Sequence, residues 1–181
     1  MKNERGFTLI ELLIASMLSI MVLLIVGGFL INSLTTERTV RVASEASAGG
    51  QLVAQSIAKG VRNASAISPA VGADMISVRT VDSGTAATWF CQAWSYASGE
   101  IRTTTSNAAI AVPTADELKT WTLLGEGISQ DDAAPVFAVN ARSVDLRFEI
   151  STGDGFPMLI RTTAVSRQPT PPIGEGTSPC F

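Results

Sequence analysis

Gly6-Phe7-Thr8-Leu9-Ile10-Glu11 opens a long apolar stretch that continues to Ile31. Glu11 is the only charged residue between Phe7 and Ile31. A helix of about twenty-five residues rises ~37 Å, which is enough to cross the ~30 Å hydrocarbon core of a bilayer. The stretch therefore predicts a membrane-spanning helix. Because a carboxylate is costly to bury in a membrane, Glu11 requires a partner or a function there.

A short basic leader precedes this helix, since Lys2 and Arg5 stand before Gly6. The order of leader, glycine, phenylalanine, glutamate and apolar run resembles the N-terminus of type IV prepilins and of the related pseudopilins of type II secretion and competence systems. The resemblance covers the N-terminal segment only. It implies that a prepilin peptidase cuts after Gly6 and N-methylates Phe7. It also implies that Glu11 helps to dock an incoming subunit by meeting an N-terminal amine in the filament.

The N-terminus has two other interpretations. A plain signal anchor, with Glu11 near the lipid headgroups, stays open on the residues alone. A cleaved secretory signal peptide is excluded. Its small-residue site would be Ala46-Ser47-Ala48, far beyond the apolar run, and that run is too long for the apolar region of a signal peptide.

The composition argues against an enzyme. The chain of 181 residues has no histidine, which removes the commonest general base and transition-metal ligand. No nucleophile motif is present, and we expect no catalytic residue, metal or cofactor. The formal net charge is −3 and no basic run occurs, so direct binding of nucleic acid is not expected. Glu126, Asp131 and Asp132 offer oxygen ligands, but their spacing fits no calcium loop, and a solvated acidic loop is predicted.

The two cysteines, Cys91 and Cys180, have two interpretations. In an exported domain they can form one disulfide, which would stabilise the fold by at most ~4–5 kcal/mol in the chain-entropy model. Alternatively they are free thiols, with Cys91 an ordinary strand residue.

The order of elements predicts an α+β fold in which a long N-terminal helix packs its second half on an antiparallel sheet. The expected divisions are a leader (1–6), a transmembrane helix (7–31), a helix extension (32–67) and a globular β head with an extended C-terminal tail (68–181). Val53, Ile57 and Val61 share one helix face and should contact the sheet. Four to seven strands are expected, including segments at 76–81, 88–96, 100–104, 136–139, 144–150 and 158–165. Residues 116–124 fit a helix or a strand, and 125–132 fit a loop.

An aromatic cluster in the second predicted strand also has two interpretations. Trp89, Phe90, Trp94 and Tyr96 are more often core residues in such a position, but they can also form a platform for a carbohydrate or another ligand.

The predicted order resembles the ladle-shaped fold of type IV pilins, and most closely minor pilins of the PilW type or J-type minor pseudopilins. This implies a structural subunit of a pilus, secretion or DNA-uptake filament. The implied partners are a prepilin peptidase, other pilin or pseudopilin subunits and an inner-membrane assembly platform. The implied location is the cytoplasmic membrane with an extracytoplasmic head, followed by the filament. The alternative is a binding module on a pilin stalk that recognises a surface, a secreted protein or DNA.

Overall fold

A computed structural model describes residues 8–70, 74–81, 88–132, 134–153, 156–169 and 179–181. Gly6 and Phe7, the predicted cleavage residues, lie outside these ranges. The chain divides after Arg41 into two compact units, the second of which is Val42–Phe181. We call Val42–Phe181 the head unit. The fold is α+β, with a long N-terminal helix and antiparallel sheets, as predicted.

The N-terminal helix α1 spans Leu9–Asn63 and is 55 residues long. It contains no proline, and its glycines do not interrupt it. The predicted end near Ile67 is wrong, because the helix stops at Asn63 and residues Ala66–Pro69 form a strand. The backbone N–H of Ser65 already donates to the carbonyl of Arg79 at 2.9 Å. Pairing with a distant strand therefore ends the helix before Pro69 does.

Five antiparallel strands form the first sheet, in sequence order β1-β2-β3-β4-β5. Their bounds are β1 (Ala66–Pro69), β2 (Met75–Val81), β3 (Trp89–Ala97), β4 (Glu100–Ser106) and β5 (Thr122–Glu126). The predicted strands at 88–96 and 100–104 are confirmed as β3 and β4, which form a hairpin with Ala97 opposite Glu100. Ser98 and Gly99 both adopt positive φ in the turn between them. The short helix α2 (Ala115–Leu118) precedes β5, so the segment predicted as helix or strand contains both.

Four strands form the second sheet, in which β8 is central. Their bounds are β6 (Ile128–Ser129), β7 (Phe137–Asn140), β8 (Ser143–Ile150) and β9 (Met158–Val165). β6 and β7 pair with opposite ends of β8, and β9 pairs with β8 along its whole length. Side chains of β8 alternate between half-buried and buried, which follows the alternation of charged and apolar residues in its sequence. The described residues thus hold nine strands in two sheets, more than the four to seven predicted.

The core of the head unit lies between α1 and the sheets. Val53, Ile57 and Val61 are at most 1% exposed, which confirms the predicted packing face of the helix. They belong to one apolar cluster with residues of both sheets, including Ile76, Val78, Trp94, Ile101, Val144, Leu146, Phe148 and Ile150. Burial of apolar surface at this helix face stabilises the head unit.

The segment predicted as a loop at residues 125–132 is partly wrong. Gly125 and Glu126 complete β5, and Ile128–Ser129 form β6, which pairs with Ile150 and Glu149 of β8. Gly125 is required there because an added Cβ would come within 2.8 Å of Val53 Cγ2 on the helix. In the sequence Gly125 resembles a turn residue, but in the structure it allows β5 to approach α1 closely.

Candidate assembly site on the N-terminal helix

Thr8 and Glu11 form a capping box at the start of α1. The backbone N–H and the hydroxyl of Thr8 donate to Glu11 Oε2 at 3.1 and 3.0 Å. The backbone N–H of Glu11 donates in return to Thr8 Oγ1 at 3.4 Å. This is the Thr-x-x-Glu arrangement that satisfies the free N–H groups of a helix N-terminus. This cap was not predicted from the sequence, although the spacing of Thr8 and Glu11 was a sufficient signal.

The capping box gives Glu11 a local structural role beside the assembly role that the prepilin resemblance implies. Glu11 accepts hydrogen bonds only from Thr8 among the described residues, and both side chains are exposed. A carboxylate with unused acceptor capacity at a helix N-terminus can still accept from an amine of another chain. The geometry is compatible with both roles.

The apolar residues that follow Glu11 have no contacts that bury them. From Leu9 to Leu34, every large apolar side chain is between 54% and 79% exposed. Among the described residues, α1 is the one helix long and apolar enough to cross a membrane, with a mean hydropathy of 2.8 over its most apolar window and none of that window buried. A core helix of a globular protein would be mostly buried, so this surface is available to lipid or to other helices.

The aromatic cluster of the head unit separates into a core and a surface part. Trp94 is fully buried, and its Nε1 donates to Ser56 Oγ on α1 at 3.3 Å. The hydroxyl of Tyr96 donates to the carbonyl of Ile128 at 3.3 Å. Trp89 is 41% exposed, with the guanidinium of Arg79 at 4.3 Å from its ring centroid. The core interpretation holds for Trp94 and Tyr96, and the two residues do not form one platform with Trp89.

Asp131 in the acidic loop is buried and ion-paired, which corrects the prediction of a solvated loop at this residue, whereas Glu126 is exposed as predicted. Asp131 is buried and accepts from Arg147 Nε, and from Arg161 Nη2 at 2.9 Å. Asp132 is exposed and lies 3.5 Å from Arg147 Nη2. Hydrogen bonds from Arg147 and then Arg161 hold the pKa of Asp131 below its ordinary value. Within the described ranges, no three metal-binding side chains of the histidine, cysteine, aspartate or glutamate type come together.

Cys91 and Cys180 form a disulfide in the structure, with their Cα atoms 5.4 Å apart and 89 positions apart in sequence. Both residues are buried. The bond attaches the end of the chain to β3 on the face of the first sheet that points away from Trp94. On the same face, Arg102 Nη1 donates to the carbonyls of Lys119 and Trp121 at 3.4 and 3.0 Å.

Asp74 connects the two sheets and was not identified from the sequence. Its carboxylate accepts from the backbone N–H groups of Val136 and Phe137 at 2.8 and 3.1 Å, and from Gln130 Nε2 at 3.2 Å. These partners are up to 63 positions away in sequence. Asp74 therefore has a structural role in the head unit.

Comparison with known families finds the prokaryotic N-terminal methylation motif at residues 1–29. No curated protein and no solved structure shows significant similarity to the chain. The matched segment contains Gly6, Phe7 and Glu11, and it ends inside the exposed apolar part of α1.

The motif implies processing by a prepilin peptidase and assembly with other pilins, and the apolar helix is compatible with a membrane-anchored subunit. The family model covers the N-terminal segment and no part of the head unit. Residues 1–29, together with the exposed apolar helix and the antiparallel β head, support a type IV pilin-like or pseudopilin-like subunit.

Proposed function

We propose that this chain is a minor pilin or minor pseudopilin, a structural subunit of a type IV pilus-like filament. A prepilin peptidase cuts between Gly6 and Phe7 and methylates the new amine. The mature chain stays in the cytoplasmic membrane through its apolar helix until an assembly platform moves it into a filament. The observation that carries the proposal is the methylation motif at residues 1–29, continued by a helix whose apolar side chains are exposed.

The capping box supports the proposed role of Glu11 in docking. Cleavage would place an amine at Phe7, directly before the Thr8 that now caps the helix. An amine on the next subunit can meet Glu11 Oε1, since the described hydrogen bonds of the side chain all use Oε2. An opposite charge near a carboxylate in an apolar environment lowers the cost of keeping it ionised. The same carboxylate would then cap its own helix and bind the neighbouring subunit.

The head unit supports a structural role more than a catalytic one. The buried carboxylate of Asp131 is paired with arginines, and the large aromatic residue Trp94 is part of the core. The order of its strands is the basis for the finer proposal of a PilW-type or J-type subunit. The proposal includes leader cleavage, the docking role of Glu11 and the assignment to a PilW-type or J-type subunit.

Incorporation into filaments tests the proposed function. The full-length chain, tagged at its C-terminus, is expressed in its native host, and filaments or overproduced pseudopili are sheared and purified. We expect the tagged chain in the filament fraction at a low ratio to the main subunit. The matched control is Gly6→Ala, which should stay uncleaved in the membrane fraction. A wild-type chain that never leaves the membrane would contradict the proposal.

A further inference from the structure

We propose that α1 carries a phospholipid headgroup site just beyond its apolar run, formed by Glu37, Arg38 and Arg41. The occupant is an aminophospholipid of the phosphatidylethanolamine type in the outer leaflet of the cytoplasmic membrane. The two guanidiniums bind its phosphate, and the carboxylate binds its ammonium group. The inference rests on the membrane insertion that the proposed function requires.

One face of the helix brings an apolar and a charged part together. A shallow depression on this face is lined by Ile31, Leu34, Thr35, Glu37, Arg38 and Arg41. Ile31, Leu34, Arg38 and Arg41 follow the spacing i, i+3, i+7 and i+10, which keeps them on one side of a helix. The apolar pair comes first and the arginines follow. This order matches the passage from acyl chain to phosphate in a lipid.

The distances along the helix place these charges at the level of the headgroups. With the apolar run in the hydrocarbon core, Arg38 lies about 10 Å and Arg41 about 15 Å beyond Ile31. The headgroup layer is about 5–8 Å thick on each side. Side chains of a helix lean towards its N-terminus, and long basic side chains extend to the interface. The Arg38 guanidinium therefore reaches the phosphates, and Arg41 reaches their outer edge.

The three charged side chains of the site form no salt bridge with other described residues. All salt bridges among the described residues lie between Glu100 and Arg161, so none involves Glu37, Arg38 or Arg41. The hydroxyl of Thr35 is directed to the carbonyl of Asn32 at 2.9 Å. The two guanidiniums around this depression provide charge-assisted donors for a phosphate, and the carboxylate provides an acceptor for an amine joined to that phosphate.

Lipid retention by the purified full-length chain tests the site. The protein in a non-ionic detergent is incubated with equal amounts of phosphatidylethanolamine and phosphatidylcholine, and retained lipids are counted by native mass spectrometry. The wild type should retain phosphatidylethanolamine with a two- to fivefold preference, the range of one exposed charge pair. Glu37→Gln should bring that ratio to one. The double variant Arg38→Gln/Arg41→Gln should lose retention of both lipids.

The matched control is Lys59→Gln/Arg62→Gln, which removes the same charge from the same helix and should retain lipid like the wild type. Unchanged retention by Arg38→Gln/Arg41→Gln would overturn the phosphate site. A wild-type ratio of one, or a preference for phosphatidylglycerol in a parallel mixture, would overturn the role of Glu37. The assay requires neither cleavage nor a filament, so its failure is distinguishable from a failure of the proposed function.

Discussion

The indole ring of Trp94 lies directly over Gly60 of the N-terminal helix. A Cβ added to Gly60 would come within 2.7 Å of Trp94 Cζ2, and both residues are buried. Trp94 is fully buried and is held by its hydrogen bond to Ser56, one turn earlier on the same helix. The helix and β3 can therefore approach each other only because residue 60 has no side chain.

We predict that Gly60→Ala destabilises the head unit by about 1–3 kcal/mol, the usual cost of overpacking a core. In an open helix position the same change would stabilise the protein by up to about 1 kcal/mol. The measurement is denaturant unfolding of the full-length chain in detergent, followed by tryptophan fluorescence. Gly49→Ala is the matched control, because its nearest contact would be Ile150 Cδ1 at an ordinary 3.9 Å. Equal stabilities of the two variants would disprove the close approach.

Reduction of the bond between Cys91 and Cys180 should lower the stability of the head unit. The loop spans 89 positions, and the chain-entropy model gives an upper limit of about 4–5 kcal/mol. We expect a reductant to lower the unfolding midpoint of the wild type and to leave Cys91→Ala/Cys180→Ala unchanged. A wild-type midpoint that is insensitive to a reductant, with full reduction verified by thiol alkylation, would show that the bond contributes little.

Asp131 should make the head unit sensitive to acid. Arg147 and Arg161 lower the pKa of Asp131 in the folded state. The contribution of Asp131 to the free energy of unfolding is therefore complete above its ordinary pKa of 3.8, and it is lost as the pH falls through the folded-state pKa. Asp131→Asn should therefore be less stable than the wild type at neutral pH, and this difference should shrink below about pH 4. Unfolding midpoints measured across this range check the prediction.

The control for this experiment is Asp116→Asn, which breaks a highly exposed ion pair with Lys119. Exposed pairs contribute little, so this variant should follow the wild type at every pH. A difference between Asp131→Asn and the wild type that stays constant down to pH 2 would contradict the account of Asp131.

The sequence predicted those parts of the fold that are determined by patterns within one segment of the chain. The periodicity of Val53, Ile57 and Val61 identified the packing face, and the alternation of apolar and charged residues identified β8. The end of α1, the strand Ala66–Pro69 and the split into two sheets depend on pairing with distant residues. Hydrophobic periodicity does not carry such information.

The residues of the candidate site could also be predicted only where the information is local. Gly6, Phe7 and Glu11 were identified by their order in sequence, and Glu11 alone of these three is described by the structure. The cap by Thr8 was readable from spacing. The roles of Asp74, and of Gly60 beneath Trp94, were not readable, because their partners are separated from them by tens of residues and are set by the packing of the two sheets.

Glu11→Gln separates the capping role of Glu11 from its proposed docking role. Glutamine at this position of a capping box can still accept from the N–H of Thr8, but it carries no charge for an amine. We predict normal membrane insertion and little or no incorporation into filaments, measured by immunoblotting of sheared filaments. Thr8→Ala is the complementary variant, since it removes the cap but keeps the carboxylate, and it should be incorporated. Wild-type amounts of Glu11→Gln in filaments would remove the docking role.

The mature N-terminus tests the central claim most directly. The chain is isolated from the membranes of its native host and examined by intact-mass and peptide mass spectrometry, with Gly6→Ala as the uncleavable control. The account predicts a chain that begins with N-methylated Phe7 in the wild type and an intact leader in the control. A stable wild-type protein that keeps Met1 to Gly6 would contradict it, and α1 would then be a simple membrane anchor for the head unit.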